Sequence, residues 1–525
     1  MNKIKPIYLV LISALLLVIG WPPLPTAFLL FIAFVPLLFV HEQLKNSNKK
    51  HLKFWLWSYL CIFLFNLGTT WWVWNASASG AIMMLVFNSL IISLPFLLFS
   101  FTNSLLPKSG HQSLVLYYLA MEYVHFNWSA SWPWLTLGKG LAVFPAFIQW
   151  YEFTGEMGGT LFILLLNIMV FKVVQSQRWI QIWKPAILVL ALYGISFFTA
   201  LQYFELYKGN GIEVVISQPN IDPYKEKFSD GDQFIPPMEQ MDIATEVAKP
   251  LITPLTALLL LPETAAVGYL DVHKMEESLV LNRLATMSDT HAMDILAGAE
   301  TYEVYHQKNQ PTLTARKDES SGIWWDSYNT AILLNNGQAQ DFYHKSRLVP
   351  GVEKMPFPFL ESLSINLGGA SGSLGTSPSA KNFILKDSQI VIAPLICYES
   401  VFGDYATEFV RNGATLLAVI TNDAWWGNTP GYKQHLLFGS IRCIETRREM
   451  VRSANTGISA KINHLGRITQ QTKYNEKTAI KCYVRPRTEL TFYVKYGNVI
   501  GKMSLFLAIV LLLSSVVKKF VKKGY

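Results

Sequence analysis

Long apolar runs dominate the first 205 residues and then stop. They recur near 6–21, 24–40, 54–74, 81–103, 112–127, 158–175 and 185–203, and a last one lies near 499–517. A helix needs about 20 apolar residues to cross about 30 Å of hydrocarbon. The pattern therefore predicts an α-helical transmembrane bundle of about eight spans, several of them near the short limit. The first run shows no small-residue cleavage site and is followed at once by Pro22 and Pro23. It reads as one arm of a retained hairpin rather than a removable signal.

From Gly211 the texture changes. Short β-branched runs appear at 212–218, 256–261, 294–299, 328–334, 339–345, 389–396, 415–421 and 456–462. Stretches with helical potential lie between them at 235–249, 274–288 and 432–449. Strands interleaved with helices predict an α/β sandwich with a largely buried sheet. The expected organisation is a transmembrane domain over 1–205, a catalytic domain over 206–498, and a last helix with a basic tail over 499–525. The Gly- and Ser-rich stretch 362–381 reads as a loop over or beside a site.

Charge sharpens this picture. Only 15% of the 525 residues are charged, and the formal net charge is +8. Such a balance suggests nucleic acid at first sight, but its distribution points elsewhere. Alternate connections between the apolar runs carry Lys3 and Lys5; Lys45, Lys49, Lys50 and Lys53; Lys108; Lys172, Arg178 and Lys184; and Lys518, Lys519, Lys522 and Lys523. The remaining short connections hold only Lys139. Positive charge marks the cytoplasmic side. Both termini are then cytoplasmic, and 206–498 lies outside the cytoplasmic membrane. The partner surface is the lipid bilayer, and no nucleic acid is expected. Glu122, inside an apolar run, is an intramembrane candidate; Glu152, Glu156 and Lys139 mark the long 128–157 connection.

Chemistry collects at strand ends. Glu263 closes LLLLPETA, Lys345 follows a strand in DFYHKSRLVPGVEKMP with Glu353 eight residues on, and Cys397 follows a strand in IAPLICYES with Tyr398 and Glu399 next to it. TNDAWWG ends another strand and contains Trp425. Each residue alone is ordinary; a strand-end Cys is more often core, and a strand-end Lys is more often solvated. Together, a carboxylate, an ammonium and a thiol on the ends of different strands can converge at one sheet edge. Glu263 would take the proton of Cys397, Lys345 would face a developing oxyanion, and Glu353 would hold Lys345. No His/Cys cluster has metal-ligand spacing, and no cofactor is expected. Cys61 reads as packing. Cys443 and Cys482 read as reduced, with a bridge between them the alternative.

These segments resemble the nitrilase (carbon–nitrogen hydrolase) superfamily, which uses Glu, Lys and Cys in that chain order. Here the order is Glu263, Lys345, Cys397, in the contexts PETA, KSRLVPGVEKMP and ICYE; DSYNT at 326–330, TNDAWWG at 421–427 and SANTGI at 453–458 also match. With its apolar frame, the whole chain resembles the integral-membrane branch of that superfamily, the apolipoprotein N-acyltransferases. The resemblance implies a nitrilase-like αββα sandwich with catalytic Glu263, Lys345 and Cys397, and with Glu353, Tyr398, Glu399 and Trp425 around the pocket. It implies transfer of an acyl chain from a phospholipid donor, typically phosphatidylethanolamine, through a Cys397 thioester to the α-amine of diacylated apolipoproteins. It also implies a bacterial inner-membrane enzyme. An aromatic position often filled by Trp in relatives falls on Phe228. A membrane-tethered amidase using water as acceptor is the alternative within the superfamily. A transporter or receptor is the alternative outside it, and leaves the three residues unexplained.

Overall fold

The computed structural model of the chain describes residues 4–204, 211–228, 231–307, 309–355, 373–386 and 389–523. Most of the Gly- and Ser-rich 362–381 segment lies outside the described residues. The chain forms two compact units, one of Met1–Phe204 with Tyr496–Tyr525 and one of Glu205–Lys495.

The first unit is helical. Among the described residues, five helices are long and apolar enough to cross a membrane: Lys50–Thr70, Ala78–Leu105, Glu156–Ser176, Trp179–Tyr203 and Val499–Val521. This is fewer than the eight expected. Pro6–Ile19 has 14 residues and Gln112–Phe126 has 15, about 21–23 Å of helix at 1.5 Å per residue. The 24–40 run is not one helix. It divides into a 3-10 segment, Ala27–Phe31, and a short helix, Val35–Gln43, with Pro36 in its first turn. The break is stabilised from Asn167, whose Nδ2 donates to Leu30 O at 2.7 Å and whose Oδ1 accepts from Phe34 N at 2.7 Å. A buried side-chain amide here satisfies the backbone groups that a continuous helix would have paired.

The 128–157 connection is built of short helical segments. It folds as 3-10 segments Pro133–Leu135, Leu137–Val143 and Pro145–Phe147, the first two largely buried. Lys139 is fully buried, donates to Pro133 O at 2.6 Å and lies 3.6 Å from Glu156. Glu122 Oε1 accepts from Leu137 N at 2.9 Å.

The second unit carries strands β1 (Ile212–Gln218), β2 (Thr256–Leu260), β3 (Ala266–Asp271), β4 (Asp294–Tyr305), β5 (Arg316–Lys317), β6 (Trp324–Asn335), β7 (Gln338–His344), β8 (Phe383–Ile384), β9 (Val391–Ile396), β10 (Leu416–Thr421), β11 (Met450–Ala454), β12 (Ala460–Ile462), β13 (Ile468–Gln471) and β14 (Thr478–Val484). One sheet runs β14-β1-β2-β4-β6-β5, with β3 beside β4 and β7 beside β6; the other runs β13-β12-β11-β10-β9-β8. Pairings β1–β2, β2–β4, β9–β10 and β10–β11 are parallel. Their near-continuous burial explains why they read as unbroken apolar runs rather than alternating ones.

Helices Pro237–Glu246 and Leu279–His291 pack on the first sheet, through Met241, Ala244, Leu281 and Leu284 against Val215, Leu259, Ile295 and Ile332. Helices Gly403–Arg411 and Pro430–Thr446 accompany the second. The sheets are joined by polar links, among them Ser453 Oγ to Ser217 O at 2.6 Å. The expected strand at 456–462 is displaced. The pairing residues are 450–454 and 460–462, and Gly457, at φ +145°, lies in the turn between them.

Candidate active site

Three strand ends of the two sheets bring Glu263, Lys345 and Cys397 together. Glu263 follows β2 after Pro262, in a turn where Thr264 has φ +50°. Gly298 of β4 lies against that turn and donates its amide to Pro262 O at 3.1 Å. A Cβ at Gly298 would sit 2.5 Å from Thr264 N and 2.6 Å from Glu263 Cα. Only glycine lets the backbones approach this closely.

Lys345 directly follows β7, and its amide donates to Asn329 O at 2.8 Å. Its Nζ lies 2.7 Å from Glu353 Oε1 and 3.4 Å from Glu263 Oε1. Gly351, at φ +84°, turns the chain so that Glu353 returns to Lys345, and Glu353 Oε2 accepts from Val349 N at 2.8 Å. Asn329 Nδ2 bridges the two acids, at 2.7 Å from Glu263 Oε1 and 3.2 Å from Glu353 Oε1. Glu263 Oε2 accepts from Asn422 N at 2.9 Å. Burial opposes the Lys345 charge, but Glu353 and Glu263 outweigh it and hold the ammonium above its ordinary range.

Cys397 opens the 3-10 turn after β9 and has φ +49°, a left-handed conformation that costs an L-residue on the order of 1 kcal/mol. Burial pushes its thiol up, the Glu263 charge adds to this, and Lys345 acts in the opposite direction. The resting group is therefore a thiol that needs a base, not a standing thiolate. Its carbonyl oxygen accepts from Ser400 Oγ at 2.8 Å and faces His435 Nε2 at 3.1 Å. His435 Nδ1 lies 3.0 Å from Asp423 Oδ1, and Arg452 Nη2 donates to Asp423 Oδ2 at 2.6 Å. Burial works against the Asp423 charge, but Arg452 and His435 hold the carboxyl below its usual range.

Glu399 accepts from Tyr343 OH at 2.6 Å, Ser346 N at 2.7 Å and Ile396 N at 2.9 Å. It ties the strand end that carries Lys345 to the one that carries Cys397. Burial pushes its carboxyl up to about 7, against the pull of these donors. Tyr398 is buried with its ring edge-on to Phe402 at 5.1 Å. Trp425 is half-buried; its ring stacks on Phe228 at 6.2 Å and 12°, and meets Tyr224 edge-on at 5.3 Å. The described residues contain no group of three or more His, Cys, Asp and Glu arranged to hold a metal ion, and all four cysteines are free.

Two family models match the chain. The apolipoprotein N-acyltransferase N-terminal domain matches residues 13–169 and the carbon–nitrogen hydrolase matches residues 238–488. The apolipoprotein N-acyltransferase of Chlorobaculum tepidum is 29% identical over 98% of this chain and 97% of its own. That of Thermotoga maritima is 25% identical over 96% and 92%. The chain belongs to the apolipoprotein N-acyltransferase family. It is therefore an enzyme with a nitrilase-like α/β unit. A solved amidase from Nesterenkonia sp. is 15% identical over 55% of this chain and 94% of its own, with a TM-score of 0.37.

Several residues of this family member's site carried no role in the sequence reading. Asn329 stood inside the matching DSYNT segment; the signal was an amide polar enough to serve two acids yet set in a buried strand. Gly298, His435 and Arg452 gave no motif signal, because each acts through a neighbour distant in sequence.

Proposed function

We propose that the chain transfers an acyl chain from a phospholipid, through a thioester on Cys397, to the α-amine of the diacylglyceryl-cysteine of apolipoproteins. The observation that carries this reading is the grouping of Glu263, Lys345 and Glu353 by direct ion pairs beside a buried thiol that both Glu263 and Lys345 influence.

Glu263 takes the Cys397 proton as sulfur attacks the ester carbonyl. The tetrahedral oxyanion is balanced by Lys345, which stays an ammonium and does not give up its proton. The intermediate collapses, the C–O bond breaks, and Glu263 returns the proton to the leaving lysophospholipid oxygen. The acceptor amine then attacks the thioester and Glu263 takes its proton. The C–S bond breaks and the thiol is re-formed. One thioester serves both halves, so the kinetics are ping-pong.

The reading extends to topology. The lysine distribution supports cytoplasmic termini and an extracytoplasmic catalytic unit in the bacterial inner membrane. This requires an odd number of crossings before residue 206. The four long apolar helices before that point do not give an odd number, so the reading counts the shorter Pro6–Ile19, Ala27–Gln43 and Gln112–Phe126 segments as three further crossings, and Val499–Val521 as the eighth. A periplasm-active reporter fused after residue 525 should be silent, and one inserted at the exposed Leu313 loop should be active. The reverse pattern would overturn the orientation.

The chemistry is tested with purified protein and labelled phosphatidylethanolamine. A hydroxylamine-sensitive acyl adduct should form on wild type and not on Cys397→Ala. Adding a diacylated lipopeptide should discharge it onto the amine. Discharge to water alone would make the chain an amidase, and an equal adduct on Cys397→Ala would sink the mechanism.

A further inference from the structure

Lys227 is a second buried lysine beside Glu263. It ends the turn Pro223–Lys227, and its side chain runs inward, 2% exposed. Its Nζ donates to the main-chain oxygen of Glu263 at 3.2 Å. The charge that acts on it most strongly is that of Glu300, 3% exposed. Glu300 on β4 is the register partner of Asn329 on β6. Residues directly opposite in an antiparallel pair share a face, so Glu300 stands on the face from which Asn329 reaches Glu263 and Glu353.

We propose that Lys227, bonded to the Glu263 main-chain oxygen and balanced by the charge of Glu300, is a positioning and charge-balancing residue that holds the Glu263 turn and keeps thiolate formation at Cys397 accessible. The inference rests on the assignment of Glu263 as the base of Cys397. Its first part is geometric. The turn that carries Glu263 contains a residue at positive φ, Thr264, and such a conformation persists only where its surroundings fix it. Lys227 bonds the carbonyl immediately before that residue. Its second part is charge balance. Glu263, Glu300 and Glu353 carry three negative charges, and Lys227 and Lys345 two positive ones. The site then holds one net negative charge, that of the base itself. Without Lys227 it would hold two, in a water-poor space where each further negative charge raises the cost of ionising a thiol. The groups that act on the Cys397 thiol are Glu263, Lys345 and Asp423, and those that act on Lys227 are Glu300 and Glu263. Burial works against the Lys227 ammonium, and the charges of Glu300 and Glu263 act the other way, to hold it. A third consequence concerns substrate. Phe228, next in the chain, stacks on Trp425, so Lys227 also anchors that aromatic pair to the base.

The test measures iodoacetamide alkylation of Cys397 in the full-length protein in detergent. The Cys397 peptide is quantified by mass spectrometry across pH. Lys227→Met should raise the midpoint by about one unit and slow alkylation roughly tenfold below both midpoints. The double variant Lys227→Met/Glu300→Gln should return to within about threefold of wild type, because it removes the pair together. Glu300→Gln alone should shift the midpoint down, and it decides the matter if Lys227→Met is not monodisperse. A Lys227→Met profile that superimposes on wild type, a double variant as slow as the single one, or an unmoved Glu300→Gln profile would overturn the proposal. Alkylation needs no lipid. Absence of an acyl adduct on wild type would thus sink the acyl-transfer reading and leave this comparison intact.

Discussion

Lys345 Nζ sits 2.7 Å from Glu353 Oε1, a closer contact than its 3.4 Å to Glu263 Oε1. The ammonium is thus held mainly by Glu353, the acid to which the proposed mechanism gives no proton transfer. Glu263 is left with an oxygen not fully committed to an ion pair. Glu353→Gln removes that hold. Lys345 then has Glu263 as its nearest carboxylate, and the base is neutralised by its own partner. Acyl-enzyme formation should fall by about 10²- to 10³-fold, read as a single-turnover rate with labelled phosphatidylethanolamine. A rate within a few-fold of wild type would show that Glu353 serves only the turn at Val349.

Asn329 makes the same division of labour from the other side. Its amide donates to both Glu263 and Glu353, which keeps two carboxylates apart without supplying charge. Asn329→Asp would place a third acid there and Asn329→Ala would leave both oxygens short of a donor. The aspartate variant should be the worse of the two, by roughly tenfold or more in turnover, since like-charge repulsion adds to a lost hydrogen bond. Equal losses would mean that Asn329 acts by packing alone.

Glu263, Lys345 and Cys397 were legible because each sits in a run whose neighbours are as characteristic as the residue itself: PETA, KSRLVPGVE and ICYE. The parallel strands leading to them were legible for the same reason that they are buried, since both faces are covered and the sequence stays apolar. The rest was hidden by distance. Gly298 matters because of Pro262 and Thr264, and Arg452 because of Asp423; neither pair has a periodicity. In the membrane unit the 24–40 run looked like one span because hydropathy does not register that Asn167, more than a hundred residues later, completes its broken backbone.

Glu399 gives the chain a distinctive pH response. Its carboxyl rises from an ordinary 4.5 to about 7 on folding, chiefly through burial. The folded state then holds a proton that the unfolded state has lost between these values. The stability this group contributes is fully present below about pH 4.5, declines as pH rises towards 7, and is absent above it. The decline is on the order of 3 kcal/mol at most. Glu399→Gln removes the titrating proton, so the difference in melting temperature between wild type and variant should change across pH 4.5–7 and be constant above. A difference that is flat throughout would mean that Tyr343, Ser346 and Ile396 keep Glu399 ionised.

Trp425 separates binding from chemistry. It lies on the turn after β10, half-buried, with Phe228 parallel to it and Tyr224 at its edge. Its ring partners are Phe228 and Tyr224, so its loss should not disturb proton transfer. What it offers is an apolar slab with an uncovered share of surface, suited to an acyl chain. Removing it forfeits about 1–2 kcal/mol of apolar contact, equivalent to roughly tenfold in KM for the phospholipid at nearly unchanged kcat. Trp425→Ala should show that split. Phe228→Trp, which enlarges the same slab, should move KM the other way. A fall in kcat at constant KM would instead place the ring in contact with the transition state, where binding energy is expressed only as the thioester forms.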